Sequence, residues 1–246
     1  MSLPASRRPT PARWLLALGL LWLNGCASSG GWLPSSAADD ENPWELAAGS
    51  FPSQRLFRVK YEGPEGKAGF KLTLYLATPS HYRMAASDSL GRKLWTLQVD
   101  ESGHAVWLDH RAKQYCRVQG ADRLVVVPLA HLPLAALPRL LLGRLPADPV
   151  ANLQRAPGHV SYLDVRGQLW TAVIRDAALD WWTLEDLGDT VAWWRRHGDG
   201  GDFSDARGGQ RVTWRQIVAE AVEQTLAPLQ IPPRFQPGAC GESSDN

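Results

Sequence analysis

The chain has 246 residues, 44% of them hydrophobic, and a formal net charge of +1. This content excludes a disordered chain and suffices for one domain with a real core, while the charge is too small for a nucleic-acid-binding surface. The 6 histidines are scattered without i, i+4 spacing, and GxSxG, HExxH and Gly-rich phosphate loops are missing, so neither enzyme chemistry nor a cofactor or metal is expected.

At the N-terminus Arg7, Arg8 and Arg13 precede the apolar run 14–23. A basic stretch followed by a short apolar one is the layout of a signal peptide, whereas a membrane span needs about 20 apolar residues. The run ends in Leu23-Asn24-Gly25-Cys26, which resembles the bacterial lipobox. The resemblance implies that residues 1–25 are cleaved and that Cys26 is acylated as the mature N-terminus. Losing the three arginines takes the formal charge from +1 to −2. Ala27 resembles the sorting pattern of outer-membrane lipoproteins, so the expected location is the periplasmic side of the bacterial outer membrane. Residues 26–50, rich in Ser, Ala, Gly and Asp, read as a flexible tether.

From residue 54 the hydrophobic period is two. RLFRVKYEG places Phe57, Val59 and Tyr61 on one side. GFKLTLYLAT sets Phe70, Leu72, Leu74 and Leu76 against Lys71, Thr73 and Tyr75. HYRMAAS, KLWTLQVD, HAVWLDH and KQYCRVQ continue the alternation, separated by Pro79-Ser80, Asp88-Ser89, Glu101-Ser102-Gly103 and Arg111-Ala112. Turn residues at this spacing predict an antiparallel meander with one apolar face.

The pattern breaks at PLAHLPLAALPRLLLGRLPADP, where Pro128, Pro133 and Pro138 forbid one long helix. Short helical turns closed by Gly143 and Pro146 fit instead. Alternation returns at HVSYLDVRGQLWTAVIRD, a hairpin around Arg166-Gly167, and continues through LDWWTLED and TVAWWRRHG. A Gly/Asp loop, GDGGDFSDARGGQ, leads into RVTWRQIVAEAVEQTL, where Val212 and Trp214 alternate but Ile217, Val218, Ala221 and Val222 have helical spacing. That piece reads as strand first, turning helical. The fold expected is mainly β with a helical insert: a strongly curved antiparallel sheet, an unclosed half-barrel, with a short-helix lid over its concave face. The domain spans 51–226 and a tail follows at 227–246.

Four stretches, YRMAASDSLGRKL, LPLAALPRLLLGRLP, YLDVRGQLWTAVI and GGQRVTW, resemble the LolB family of outer-membrane lipoprotein receptors in order and spacing. The resemblance runs from residue 55 to about 220 and implies the fold shared with the periplasmic carrier LolA. It implies a hydrophobic cavity for acyl chains, lipoproteins as cargo, a LolA-like carrier as partner, and delivery to the outer membrane without covalent chemistry. It also implies that Leu90, in DSLGRKL, protrudes for membrane insertion. Here Ser89 stands where proline is usual.

Alternation nominates the cavity wall: Phe57, Val59, Tyr61, Leu72, Leu74, Leu76, Tyr82, Met84, Trp95 and Leu97 from the first strands. Trp170, Ile174, Trp182 and Trp194 join them from the later strands, and Leu137, Leu140 and Leu141 from the insert. Because Trp181-Trp182 and Trp193-Trp194 put an indole on each face, either edge packing or an interfacial belt is open to the outward pair. Cys116 and Cys240, alone after the lipobox, predict a disulfide in an oxidising compartment. A metal loop at Asp199, Asp202 and Asp205 misses the calcium spacing, so a polar turn is expected there. His104, Asp109 and His110 read as a solvated strand pair. A monomer is expected. Two other readings share these residues: a lipid or glycolipid binder of the same fold, and an accessory envelope lipoprotein offering a protein-binding surface.

Overall fold

The computed structural model describes residues 43–44, 51–64, 66–118, 134, 136–176, 178–223 and 225–238. Cys26, Cys240 and the leucines at 129 and 132 lie outside the described residues. The elements in chain order are β1 (Ser53–Gly63), β2 (Gly66–Leu76), β3 (Tyr82–Ser87), β4 (Lys93–Val99), β5 (Ala105–Asp109), β6 (Gln114–Val118) and α1 (Ala136–Leu141). After α1 come β7 (Ala151–Ala156), β8 (His159–Leu163), β9 (Leu169–Arg175), β10 (Ala178–Asp186), β11 (Asp189–His197), β12 (Gly200–Asp205), β13 (Gln210–Ala221) and β14 (Gln236–Pro237). They form one 14-stranded sheet in the order β14-β6-β5-β4-β3-β2-β1-β13-β12-β11-β10-β9-β8-β7. Every pairing is antiparallel except β14 with β6. The sheet is open and curved, and the short helix α1 packs against one face.

Register follows the alternation. Phe57 faces Leu72, Val59 faces Phe70, Leu74 faces Met84 and Met84 faces Leu97, so each apolar row continues across neighbouring strands. The same face carries Trp170, Trp182, Trp194, Phe203, Val212 and Trp214 from β9 to β13. A one-residue slip would turn these rows to solvent, which is why the register is strongly specified.

Three parts of the chain depart from expectation. The Gly/Asp stretch at 198–210 is not all loop, since Gly200–Asp205 is strand β12. Gly201 is required there, because a Cβ would collide with the indoles of Trp194 and Trp214 lying over it. The helical turn expected after Trp214 does not form; β13 runs to Ala221 because β1 offers a full-length partner, with Ser53 opposite Ala221. A bulge between Leu56 and Phe57 shifts the register there, which gave the β13 sequence its misleading helical spacing. Finally, β7 is exposed throughout and so lacks any apolar period.

Antiparallel pairing sorts the hairpins onto two edges of the sheet. The turns β1–β2, β3–β4, β5–β6, β8–β9, β10–β11 and β12–β13 share one edge; β2–β3, β4–β5, β7–β8, β9–β10 and β11–β12 share the other. Residues 222–223 and 225–235, the strap, lie between β13 and β14 and cross the outward face of the first strands. The strap is tied by Val222 N to Pro52 O at 3.2 Å, by Arg83 to Ala227 O at 2.5 Å and by Gln236 N to Lys113 O at 3.0 Å.

Candidate functional site

The concave face is a continuous apolar surface. Phe57, Val59, Leu72, Leu74, Leu76, Tyr82, Met84, Leu97, Trp170, Trp182 and Trp194 are buried in one cluster with Leu137, Leu140 and Leu141 of α1. Tyr61, Trp95 and Ile174 are only partly buried at its margin. The expected wall residues therefore come together, but under the helix they form a closed core. Ring contacts run through it: Tyr162 stacks on Trp170 at 6.2 Å, Trp170 meets Trp182 at 4.9 Å, and Trp182 meets Phe203 at 5.9 Å.

The lid sequence ALPRLL is apolar on nearly all sides, and only Arg139 of α1 escapes burial. Such a helix is unstable in water and needs the sheet to cover it. Among the described residues these polar contacts fasten it. The Tyr82 hydroxyl donates to Leu134 O at 2.6 Å, and Trp214 Nε1–H donates to Leu141 O at 3.2 Å. Leu145 N–H donates to Pro43 O at 2.9 Å, and Arg139 pairs with Asp148 at 2.8 Å. Burial pushes the Tyr82 phenol far above its usual range, so it remains a neutral donor to Leu134. Gly143 ends the lid at φ 66°, a conformation that favours glycine.

Sequence reasoning missed two features of the interior. Trp44, inside the stretch expected to be a tether, is buried edge-on to Tyr162 at 5.5 Å, with the Arg155 guanidinium 5.3 Å from its ring. The indole N–H groups of Trp107, Trp182 and Trp194 are buried without a hydrogen-bond partner. An apolar alternation pattern carries no signal for either.

On the convex face the segment 222–235 lies over Thr96, Gln98 and Leu108, which are buried although they point away from the core. Phe235 packs on His110 at 5.6 Å, and Thr96 hydrogen-bonds His110 Nε2 at 2.9 Å. Burial, with help from Lys93, lowers the His110 pKa, against the pull of Asp109. A cavity of about 670 Å³ opens between this segment and the sheet, lined by the polar Thr73, Tyr75, Arg83 and Lys93 and by the apolar Leu108, Leu226 and Leu229. Cys116 is disulfide-bonded, and its partner lies outside the described residues. The outward Trp181 and Trp193 are half-buried.

Leu90 stands 77% exposed at the β3–β4 turn. The Asp88 carboxylate accepts from the N–H groups of Leu90 and Arg92, both at 2.9 Å, and from the Arg92 guanidinium at 2.7 Å. Its partial burial would raise its pKa, but these bonds hold it below the usual carboxylate range. Asp88 thus supplies the stiffness that Ser89 does not. Asp202 pairs with Arg211, and Asp205 accepts from Arg207 N and Gly208 N, so neither acts as a loop ligand here. Asp100 holds Ser102 and His104 in the turn before β5, whereas Asp109 and His110 lie at the other end of that strand. Among the described residues no group of His, Cys, Asp and Glu is placed to hold a metal ion. None of their helices is long and apolar enough to cross a membrane.

No protein-family model matches the sequence, and no curated protein matches it. Among solved structures the chain is similar to a LolA superfamily protein from Nitrosomonas europaea (8% identity, TM-score 0.47), covering 72% of this chain and 88% of that one. It is similar to a DUF1329 family protein from Desulfovibrio piger (7%, TM-score 0.45; 71% and 87% covered). A third likeness is to an outer membrane lipoprotein-sorting protein domain from Vibrio parahaemolyticus (7%, TM-score 0.43; 74% and 87% covered).

Proposed function

We propose that the chain is a lipid-anchored envelope protein of the LolB type, which takes acyl chains between α1 and the concave face and passes lipoproteins into the outer membrane. The observation that carries this reading is the lid: a short helix buried on Ala136, Leu137, Pro138, Leu140 and Leu141, yet fastened among the described residues chiefly by apolar contact. Displacing it exposes a leucine and tryptophan surface whose only better partner than the lid is another apolar body. An acyl chain of roughly 14 methylenes, at about 0.8 kcal/mol each, gains on the order of 10 kcal/mol by leaving water. That is enough to compete with the lid for the same wall. The unpartnered indole N–H groups of Trp107, Trp182 and Trp194 offer donors to the ester or amide carbonyls at the head of such chains.

In this reading Cys26 is the lipidated residue, residues 1–25 are removed, and a LolA-like carrier hands over the cargo. The strap reaches β6 beside Cys116, because Pro237 pairs with Tyr115; Cys240, three residues on, is the partner we assign to Cys116. Leu90 contacts the bilayer during insertion. The step is a partition between apolar environments and needs no bond making.

Mass spectrometry of ligands extracted from the protein lacking its anchor tests the reading, with fatty acid, phospholipid or lipopeptide as the expected result. A consistently empty protein counts against it, and then the packed Trp170-Trp182-Trp194 interior favours an accessory lipoprotein acting through its surface. A bound lipid without transfer activity points to a lipid or glycolipid binder of the same fold. For Leu90, Leu90→Glu is expected to leave folding and cargo uptake intact and to block delivery to membranes; unchanged delivery removes that role.

A further inference from the structure

We propose that the sheet edge bearing Leu90 is a docking rim for an anionic lipid bilayer, on which Val165 and Leu187 of the second half of the sheet act as further insertion points. This goes beyond acyl binding, since a rim can dock whether or not the lid opens.

The most exposed large apolar side chains gather at one edge, while the less exposed Leu153 and Ile217 lie within β7 and β13. Leu90 is 77% exposed, Val165 82% and Leu187 99%. They occupy the β3–β4, β8–β9 and β10–β11 turns, which all lie on one edge. Val150, 66% exposed, enters β7 on that edge as well. Among the described residues no large exposed hydrophobic sits in a turn of the opposite edge.

Each tip is braced. Asp88 holds the backbone around Leu90 as described above. Asp164 repeats the device, its Oδ1 accepting from Arg166 N at 2.8 Å and Gln168 N at 3.0 Å, so that Val165 is held outward between them. Leu187 is the clearest case. It and Gly188 form a two-residue hairpin loop between paired Asp186 and Asp189, with φ of 54° and 90°. Positive φ at both positions is the setting of Asn-Gly or Gly-Gly, and a leucine there is disfavoured by its Cβ. A side chain that gains nothing from burial and sits in an unfavourable backbone conformation needs a reason outside the folded monomer.

Charge divides the edges in the same sense. The described turn residues of the Leu90 edge include Arg92, Arg111, Lys113, Arg166 and Arg207 against Asp88 and Asp164, whose oxygens are engaged in bracing the turns. Arg92 pairs with Asp88 and Arg207 with Asp186, while Arg111, Lys113 and Arg166 make no ion pair among the described residues. The opposite turns carry Asp100, Glu101, Asp176 and Asp199 and no lysine or arginine. Leu90 and Val165 each share their turn with an arginine, Arg92 or Arg166, and Leu187, which lies between Asp186 and Asp189, has Arg207 of the neighbouring turn paired to Asp186; such tips suit an anionic headgroup layer, into which each can sink separately. A protein partner of comparable affinity would want a contiguous apolar patch, whereas Val165 and Leu187 stand on neighbouring hairpins with polar residues beside each tip, and the β12–β13 and β1–β2 turns lie between Leu187 and Leu90.

The test uses the full-length chain purified from membranes and reconstituted into vesicles, labelled with an environment-sensitive fluorophore at Leu90→Cys, Val165→Cys, Leu187→Cys or, on the other edge, Glu101→Cys. The unsubstituted chain is the labelling blank, and thermal unfolding of each variant reports its integrity. We expect nitroxide lipids at headgroup depth to quench the first three probes in anionic vesicles and to spare the probe at 101. Quenching at 165 and 187 should fall at least several-fold when the anionic lipid is replaced by a zwitterionic one. Unquenched probes at 165 and 187 overturn the rim, even if the probe at 90 is quenched; equal quenching in zwitterionic vesicles overturns the preference for anionic lipid. Ligand content of the same preparations is measured separately, so an empty interior and a failed rim are distinguishable.

Discussion

The two faces of this sheet are covered by chain segments of opposite character. The lid over the concave face is held by apolar contact and by isolated hydrogen bonds such as Tyr82 to Leu134. The strap over the convex face is held by backbone pairing of β14 with β6, by Arg83, and beside a disulfide-bonded cysteine. Hydrophobic contact is non-directional and can be exchanged for another apolar body, whereas backbone pairing and covalent bonds have no such substitute. The difference teaches which cover is built to move. In the proposed function the lid is the cover traded for cargo, and the strap fixes the wall behind it.

Removing an inner indole should have the largest effect. Trp182→Ala leaves a void in the tryptophan row and should cost about 3–5 kcal/mol, whereas Trp181→Ala, on the half-buried outer face, should cost well below that; denaturant titration compares them. Equal losses would erase the distinction between the faces. Reducing the Cys116 disulfide is next, with an expected loss of about 2–4 kcal/mol and faster proteolysis within 222–238, and no change at α1. Increased proteolysis at α1 instead would mean that the two covers are coupled.

Smaller effects sharpen the contrast. Tyr82→Phe removes the hydrogen bond to Leu134 and should cost about 1 kcal/mol, while speeding uptake of a fluorescent fatty acid in stopped-flow measurements. Unchanged uptake would take Tyr82 out of the lid. On the convex face the effect of His110 depends on pH. Its folded pKa lies below the ordinary 6.5, chiefly through burial, so the unfolded chain binds the proton more readily. The associated stability is present above about pH 6.5 and is lost as pH falls through the depressed value. Comparing unfolding of the parent and His110→Gln between pH 7.5 and about 5 should show a loss in the parent that the variant lacks. A parallel decline in both would assign it to other groups.

Much of this was legible in the sequence, for physical reasons. The first three strands and β8 to β11 bury one face more fully than the other, so their side chains alternate visibly, and β4 and β5 keep the alternation in sequence because most outward residues under the strap are polar. The lid announced itself as an apolar run cut by prolines, and Leu90 as a leucine among turn residues. What escaped detection lacks a period. The β7 strand is an edge with every residue exposed, and β12 needs Gly201 for the tryptophans above it rather than for itself. The strap is irregular, because its partner is a finished sheet surface and not a ladder. Trp44 was hidden by its polar neighbourhood, and the edge asymmetry of Leu90, Val165 and Leu187 appears only once topology puts those turns together.

The most direct test of lid exchange is hydrogen–deuterium exchange with and without a triacylated lipopeptide. The account predicts faster exchange across 136–145, as the acyl chains displace α1, with slower exchange in the inner strands and no change in 222–235. Protection confined to 222–235, with α1 unaltered, would put the ligand on the convex face and contradict it.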